Sequence, residues 1–141
     1  MAEMHTALVR ENGFGRFQNE VSINGHSLIA DEPASLGGDD QGPSPYEFLA
    51  AGLGACTSMT LRMYAERKNL EVVRIACLVT HTRKPLDPPV NGRAEVDVFT
   101  RTITIEGNFG EESQKRMLDI ANRCPVHRTL TASSIVETVL A

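Results

Sequence analysis

The chain has 141 residues, 41% hydrophobic and 23% charged, so we expect one soluble globular domain spanning residues 1–141. A net charge of -4, two tyrosines and no tryptophan argue against nucleic acid as a partner, because protein surfaces that bind nucleic acid are basic and offer aromatic rings. The longest apolar run, residues 48–55, is too short to span a bilayer, and the first residues lack a signal-peptide pattern. We therefore expect a cytoplasmic protein that does not contact a membrane.

The first third of the chain predicts a meander of three β-strands. Residues 4–32 contain short apolar segments separated by Asn12-Gly13 and Asn24-Gly25. Both dipeptides favour the primed turns of β-hairpins, so we expect tight connections at both places. Residues 33–45 are rich in Gly, Pro and Asp, and they predict a long loop after the third strand.

Residues 44–68 predict a helix that begins and ends at clear signals. Ser44 is a good N-cap, Pro45 suits the first helical position, and Glu47 places negative charge near the positive end of the helix dipole. Lys68-Asn69 stands where the helix is expected to end. Nearly every residue in 48–59 is apolar or small, which is typical of a helix that is buried on most sides.

Two glycines, Gly52 and Gly54, interrupt the apolar part of this helix just before Cys56. An interior glycine costs a helix about 1 kcal/mol relative to alanine, so two of them indicate close packing or the close approach of another group. This pattern directs attention to Cys56.

The remainder of the chain predicts a β-hairpin, a second helix and a final strand. In residues 71–84 one strand face is expected to carry Val73, Ile75, Cys77 and Val79. A turn at 84–93 precedes a long strand over 94–107, whose apolar parity changes and so predicts a bulge between Phe99 and Thr102. The order βββαββα, followed by a turn and a strand, is typical of an α+β fold.

The second helix is predicted over residues 111–124 and the final strand over residues 133–141. Four apolar side chains of this helix are expected to face the core: Met117, Leu118, Ile120 and Ala121.

Three cysteines in such a chain do not indicate a disulfide framework, so each is either a buried small hydrophobe or a reactive thiol. Cys77 lies on the apolar face of a strand, which favours a core thiol. Cys124 precedes a proline at the end of the second helix, and Cys56 follows the two glycines. For these two, both interpretations stay open.

Two segments, LIADEPASLGGDDQGPSPYEFLAAGLGACTSMTLRMYAERK and NRCPVHRTL, closely resemble the osmotically inducible protein C (OsmC) family, which includes the organic hydroperoxide resistance (Ohr) proteins. The resemblance extends over essentially the whole chain. It implies a stress-response thiol peroxidase that reduces organic hydroperoxides without a cofactor or metal. It also implies an intertwined homodimer with sites at the subunit interface and an external dithiol as reductant.

The resemblance makes Cys56 the peroxidatic cysteine and Cys124 the resolving cysteine. Family members activate the first thiol with an arginine from the N-terminal hairpin and a glutamate directly after the helix-start proline. Tyr46 occupies that glutamate position here, and Glu47 follows one residue later. Glu47 is the candidate, with a purely capping role as its alternative. Arg16 is the candidate arginine, with Arg10 as its alternative.

A second set of residues is expected to form an apolar pocket around Cys56 that favours bulky hydroperoxides. These residues are Phe48, Leu49, Leu53, Met59 and Met63, with Phe14 or Phe17 from the hairpin.

Three other functions are compatible with the residues. The first is a non-catalytic or small-molecule-binding member of the same fold, which Tyr46 favours. The second is a thiol hydrolase using Cys124 and His127, for which the sequence offers no orienting partner. The third is a zinc site built on the Cys124-x-x-His127 spacing with Cys56 as a third ligand, but no fourth ligand is evident in the sequence.

Overall fold

A computed structural model describes residues 3–141, and these residues form two compact units with the boundary between Leu49 and Ala50. The single domain over residues 1–141 stays a prediction. No helix among the described residues is long and apolar enough to cross a membrane. The elements in chain order are β1 (Leu8–Glu11), β2 (Asn19–Ile23), β3 (His26–Ala30), α1 (Pro45–Arg67), β4 (Glu71–Val90), β5 (Arg93–Asn108), α2 (Glu111–Ala121) and α3 (Pro125–Thr131).

The first unit contains the predicted meander, an antiparallel sheet with the order β1-β2-β3. β2 and β3 are joined by Asn24 and Gly25, whose φ angles of 48° and 80° are those of a primed two-residue turn. The tight second connection is therefore confirmed.

The first connection of the meander is longer than predicted, because β1 ends at Glu11 and β2 begins only at Asn19. The side-chain carbonyl of Asn12 accepts a hydrogen bond from the backbone N–H of Phe14 at 3.0 Å. This side-chain turn replaces the predicted two-residue hairpin turn. Arg16 therefore lies in the loop between β1 and β2.

The loop that leads into α1 is organised around the buried carboxylate of Asp31. This carboxylate accepts hydrogen bonds from the backbone N–H groups of Glu32, Asp39 and Gln41 at 2.8, 3.3 and 3.1 Å. Burial raises the pKa of Asp31, but the three donations outweigh burial and the pKa lies below its usual value. A charged aspartate thus holds the predicted loop in one conformation, and the loop contains a short 3-10 helix at Ala34–Leu36.

Helix α1 begins and ends as predicted. The carboxylate of Glu47 accepts a hydrogen bond from the backbone N–H of Ser44 at 3.0 Å, which is one half of a capping box. At the other end, Asn69 has a φ of 52°, and the N–H of Leu70 reaches the carbonyl of Ala65 at 2.9 Å. This arrangement is a Schellman motif, and it ends the helix before β4.

The prediction that α1 is buried on most sides is wrong within the chain. One face is buried and consists of Leu53, Gly54, Thr57, Leu61, Tyr64 and Ala65. The opposite face is also apolar, yet it is exposed: Met59 is 66% exposed and Met63 is 71% exposed. A helix with apolar residues on both faces therefore covers the core with only one of them.

The two glycines of α1 lie in different surroundings. A methyl group at Gly54 would lie 3.3 Å from Cγ2 of Val79, so this glycine allows α1 to approach β4 closely. No atom lies within 4 Å of the corresponding position at Gly52, which borders open space on the exposed face. One glycine thus serves packing, and the other leaves room beside Cys56.

β4 and β5 form a long antiparallel hairpin whose turn is shorter than the predicted 84–93. The strands continue to Asn91 and Gly92, whose φ angles of 51° and 74° give a primed turn. The predicted bulge at 99–102 is wrong, because pairing is continuous there and the irregularities lie at 72–74 and 85–90. The first irregularity explains why Val73 is 74% exposed and does not share the inward face of Cys77.

The core of the second unit lies between α1, α2 and the hairpin. Its buried members are Leu61, Tyr64, Ala65, Met117, Ile120 and Ala121. Leu118 is 53% exposed, so its predicted inward position is wrong; a helix of this length presents only one stripe to the core.

The C-terminal part of the chain differs from the prediction in two ways. α2 ends at Ala121, and residues 125–131 form a short helix, α3, instead of a turn. The predicted strand at 133–141 is wrong, because a strand needs a hydrogen-bonded neighbour and these residues have no ladder within residues 3–141. Four large apolar side chains of this segment are exposed: Ile135, Val136, Val139 and Leu140.

Candidate active site

The site is built around Arg101, which lies on the inward face of β5. Along this strand Phe99, Arg101, Ile103 and Ile105 alternate toward the side of the sheet that packs on the core. Arg101 pairs with Val79 of β4, and Val79 is the residue against which Gly54 packs. The hairpin therefore carries a guanidinium group to the face where α1 approaches most closely.

The guanidinium of Arg101 donates four hydrogen bonds. One terminal nitrogen donates to Oγ1 of Thr57 at 3.1 Å and to the carbonyl of Ala121 at 2.9 Å. The other donates to Oδ1 of Asn122 at 2.8 Å and to Nδ1 of His127 at 2.8 Å. Four acceptors from α1, the end of α2 and α3 thus meet on one side chain.

Cys124 lies inside this cluster and is fully buried. Its sulfur accepts a hydrogen bond from the backbone N–H of His127 at 3.2 Å and lies 3.8 Å from Oγ1 of Thr57. The hydroxyl of Thr57 donates its only proton to the carbonyl of Leu53 at 2.7 Å. The Cys124 thiol is therefore the donor in the longer and weaker contact with Thr57.

His127 is held in the neutral form. Burial and the charge of Arg101 both lower the pKa of His127 below its ordinary value. Because Nδ1 accepts from Arg101, the imidazole proton resides on Nε2. A neutral imidazole suits this position, since a protonated one would present a second positive charge to the guanidinium.

Cys56 is only partly buried, and it opens onto a groove of about 720 Å³ on the exposed side of α1. The groove is largely apolar, with arginines at two positions; its lining consists of Gly52, Ala55, Cys56, Met59, Thr60, Met63, Tyr64, Arg67, Ile120, Arg123 and Pro125. An apolar ligand of moderate size could therefore reach this thiol.

The fold brings the two candidate cysteines to neighbouring positions. Thr57, which follows Cys56 in α1, contacts the sulfur of Cys124. Pro125, which follows Cys124, lines the same groove as Cys56. Each candidate cysteine therefore precedes a residue that borders the surroundings of the other, with Cys56 open to the groove and Cys124 buried.

The third cysteine, Cys77, is half-buried on the inward face of β4. Burial raises the pKa of Cys77, although the positive charge of Arg101 opposes that effect. A thiol with a raised pKa is a poor nucleophile at neutral pH, which agrees with the predicted core role.

The model of the OsmC-like protein family matches residues 38–139, which include both candidate cysteines. The chain belongs to this family. Solved structures with the same fold include an organic hydroperoxide resistance protein OsmC from Legionella pneumophila, with 15% identity, a TM-score of 0.71 and coverage of 93% of this chain and 91% of that one. No curated protein matches the chain.

Two further structures show the same OsmC-like fold. An OsmC-like protein from Mycoplasma pneumoniae is 23% identical, with a TM-score of 0.71 and coverage of 92% of this chain and 87% of that chain. The organic hydroperoxide resistance protein OhrB of Bacillus subtilis is 16% identical, with a TM-score of 0.66 and coverage of 92% and 91%. At these identities the similarity establishes the fold alone.

Contacts are present for the candidate activating residues Arg16 and Glu47 and for the alternative Arg10. The guanidinium of Arg16 lies 4.6 Å from the ring centre of Phe17, and Arg10 pairs with Glu20 at 3.5 Å. Glu47 caps α1, and its hydrogen bonds from the backbone and side chain of Ser44 lower its pKa. The roles of Arg16 and Glu47 in activating Cys56 stay predictions.

The predicted apolar pocket is reproduced in part. Met59 and Met63 line the groove at Cys56, whereas Leu53 is 3% exposed and borders a separate cavity with Arg101 and His127. Phe14 is 85% exposed in the first unit. Among residues 3–141, no three His, Cys, Asp or Glu side chains converge in a way that could hold a metal ion.

Sequence reasoning missed three residues of the cluster, namely Arg101, Thr57 and Asn122. The sequence does contain a signal for the first of them, because Arg101 occupies an inward position in the alternation Phe99, Arg101, Ile103, Ile105. A charge at a core-facing strand position needs partners, and this marks a functional candidate. The parity of Val96 and Val98, which face away from Arg101, concealed it.

Acidification is expected to weaken this cluster through His127. Its pKa is lowered in the folded protein, so the unfolded chain binds a proton more readily, and stability is lost as pH falls below the ordinary histidine value of about 6.5. We expect wild type to lose more stability than His127→Gln between about pH 7.5 and about pH 5.5, because glutamine can accept from Arg101 without titrating. Urea unfolding of both proteins at both pH values measures this difference, and equal losses would contradict it.

Proposed function

We propose that this protein is a thiol peroxidase that reduces organic hydroperoxides, with Cys56 as the nucleophile and Cys124 as the resolving thiol. The observation that carries the proposal is the paired arrangement of the two cysteines. Cys56 opens onto an apolar groove, and the next residue, Thr57, contacts the buried sulfur of Cys124. The OsmC and Ohr names of the structural neighbours support a stress-response redox role for such a pair.

In the first step the Cys56 thiolate attacks the distal oxygen of the hydroperoxide. The O–O bond breaks, the sulfur is oxidised to a sulfenic acid, and the alkoxide leaves as an alcohol after taking up a proton. The different burial of the two thiols supports this order, since a hydroperoxide in the groove meets Cys56 while Cys124 is fully buried.

In the second step the Cys124 sulfur attacks the sulfenic sulfur of Cys56. The S–O bond breaks, water leaves, and a disulfide joins the two residues. An external dithiol then reduces this disulfide by thiol–disulfide exchange and returns both cysteines to thiols. Each cycle consumes one hydroperoxide and one dithiol, and it needs no metal or organic cofactor.

The thiolate of Cys56 requires a stabilising cation, and on the family resemblance we assign this role to Arg16, with Glu47 as the second member of the activating pair. Cationic neighbours favour the thiolate form of cysteine. The competing non-catalytic function is favoured by the capping role of Glu47 and by Tyr46 at the family's glutamate position.

We also propose that the protein works as a cytoplasmic homodimer. The exposed face of α1 includes Met59 and Met63, and the last nine residues expose four large apolar side chains. Burial of such surface against a second copy contributes about 25 cal/mol per Å² of apolar area. The family resemblance adds that the two sites lie at the subunit interface.

The two cysteines are expected to have separable roles in one turnover. Cys56→Ser should abolish hydroperoxide consumption, whereas Cys124→Ser should complete a first turnover and then stop with a sulfenic acid. Stopped-flow measurement of peroxide loss, combined with thiol titration before and after one equivalent of cumene hydroperoxide, tests both variants. Cys77→Ser is the matched control and should retain turnover. A normal first turnover by the Cys56 variant would reverse the assignment, and unchanged thiols in wild type would favour the non-catalytic function.

The groove at Cys56 is expected to favour bulky hydroperoxides over hydrogen peroxide. Each buried methylene contributes about 0.8 kcal/mol, whereas hydrogen peroxide gains nothing from apolar walls. The measurement is kcat/KM for cumene hydroperoxide and for hydrogen peroxide on one preparation. Met59→Ser should narrow the difference between the two values. A preference for hydrogen peroxide would remove the argument from the groove and leave the roles of the cysteines intact.

A dimer is the expected species at low micromolar concentration. Sedimentation velocity should give about twice the mass of the 15.4 kDa chain. Met63→Glu places a charge on the exposed face of α1 and should shift the distribution toward monomer, whereas Glu66→Gln on the same helix should not. A well-folded wild-type monomer would contradict both the dimer and the shared sites.

A further inference from the structure

The hydrogen bonds of Arg101 converge on the residues that flank the two cysteines. Thr57 follows Cys56 directly, whereas Ala121, Asn122 and His127 lie within three residues of Cys124. The four acceptors of the Arg101 hydrogen bonds do not include the sulfur of Cys56 or of Cys124. The guanidinium acts instead on the backbone and side chains that carry the two thiols.

We propose that Arg101 is a positioning residue for disulfide formation, holding the segment that carries Cys124 against α1 so that its sulfur can reach Cys56. This inference rests on the proposed function for the roles of the two cysteines. It assigns to β5 a part in the second chemical step, and it does not require Arg101 to touch the hydroperoxide.

A disulfide forms only within a narrow geometry, and Cys124 is not held in position by lying inside a helix or a strand. The two Cα atoms of a disulfide lie within about 4.4 to 6.8 Å, and the dihedral angle about the S–S bond is narrowly defined. Cys124 lies between the end of α2 at Ala121 and the start of α3 at Pro125. Within this connection, backbone hydrogen bonds from Arg123 to Ile120 at 2.9 Å and from Cys124 to Ala121 at 3.3 Å provide local support. Arg101 adds the bonds that tie the connection to α1.

The strengths of the contacts suit a thiol that moves while its backbone stays in place. Hydrogen bonds from a guanidinium are about twice as strong as neutral ones, and four of them hold the surroundings of Cys124. Within residues 3–141, the hydrogen-bond contacts of the Cys124 sulfur are one from the backbone N–H of His127 at 3.2 Å and a weak one to Thr57 at 3.8 Å. The side chain can therefore rotate toward Cys56 without breaking the bonds of Arg101.

The resolving step can be measured without a hydroperoxide by using DTNB, an aromatic disulfide whose thiolate product is coloured. Cys56 attacks the reagent, a mixed disulfide forms, and the first coloured thiolate leaves. Cys124 then attacks the Cys56 sulfur, the mixed disulfide breaks, and the second coloured thiolate leaves as the Cys56–Cys124 disulfide forms. The experiment uses the full chain carrying Cys77→Ala, so that the second release reports Cys124 alone, and Cys124→Ser defines its absence.

Arg62 provides a matched control. Its guanidinium donates to the backbone carbonyls of Val72 and Val73 at 2.8 and 3.4 Å, so it joins α1 to β4. Arg101 likewise joins β5 to α1, to the end of α2 and to α3. Arg62 contacts neither the segment 121–127 nor Thr57 through its bonds. Arg62→Gln is therefore expected to lower the melting temperature without changing the second release.

In the Arg101→Gln variant, the first release is expected to keep the wild-type rate and the second to slow about 10- to 100-fold, as small misplacements of reacting groups do. Arg101→Lys should give an intermediate rate, because an ammonium group cannot reach all four acceptors. Asn122→Ala removes one exposed acceptor and should slow the second release less, which provides a test if the Arg101 variants do not fold.

Three outcomes would overturn the inference: a wild-type rate of second release in Arg101→Gln, equal slowing in Arg62→Gln, or no second release in wild type. The last outcome would remove the resolving role of Cys124 as well. If the wild type ignores cumene hydroperoxide but Arg101→Gln still slows the second release, the peroxidase is refuted and the positioning role of Arg101 is supported.

Discussion

A guanidinium group on the inward face of a β-strand must find acceptors, and this requirement determines how the second unit is assembled around Cys124. Arg101 meets it with a hydroxyl, a carbonyl, an amide and an imidazole from three different helices or their ends. None of these four acceptors carries a negative charge. Burial and this positive charge together lower the pKa of His127, and the charge opposes the effect of burial on the pKa of Cys77.

Helix α1 connects this interior cluster to the surface. Its buried face packs on β4 through Gly54 and presents Thr57 to Arg101 and Cys124. Its other face carries Gly52, Cys56 and Met59 along the groove. The unusual composition of the helix follows from this double duty. Over residues 48–59 both the residues that pack on the core and those that border the groove are small or apolar, and the charged residues Arg62, Glu66 and Arg67 follow only in the last turns of the helix.

The features predictable from sequence were those that a few neighbouring residues determine. The turn at Asn24-Gly25 needs two positive φ angles, and both ends of α1 follow from caps within four residues. Both candidate cysteines were identified from their local contexts and the family resemblance. The length of the first meander connection was not predicted, because a single side-chain hydrogen bond at Asn12 replaced the tight turn.

The features that were not predicted from the sequence depend on contacts between residues that are far apart along the chain. The inward face of β5 is set by pairing with β4, in which Val79 lies opposite Arg101. Counting only apolar residues placed Val96 and Val98 inward and inserted a bulge that does not exist. The exposed face of α1 and the missing final strand have the same origin, since burial and strand pairing depend on what lies opposite a segment and not on its own composition.

The arrangement of the three thiols fits a reaction whose order is imposed by access. In the proposed reaction a hydroperoxide in the groove would meet Cys56, while the burial of Cys124 keeps its sulfur from direct oxidation. Cys77 shares the inward face with Arg101, but its raised pKa keeps it protonated and slow to exchange. Two neighbouring thiols of different exposure therefore suffice to separate attack from resolution, provided that the buried one is held where a single side-chain rotation brings it to the other. In the proposed reaction, a cation that binds the backbone around Cys124 meets this condition better than one bound to its sulfur, because the sulfur must remain free to move.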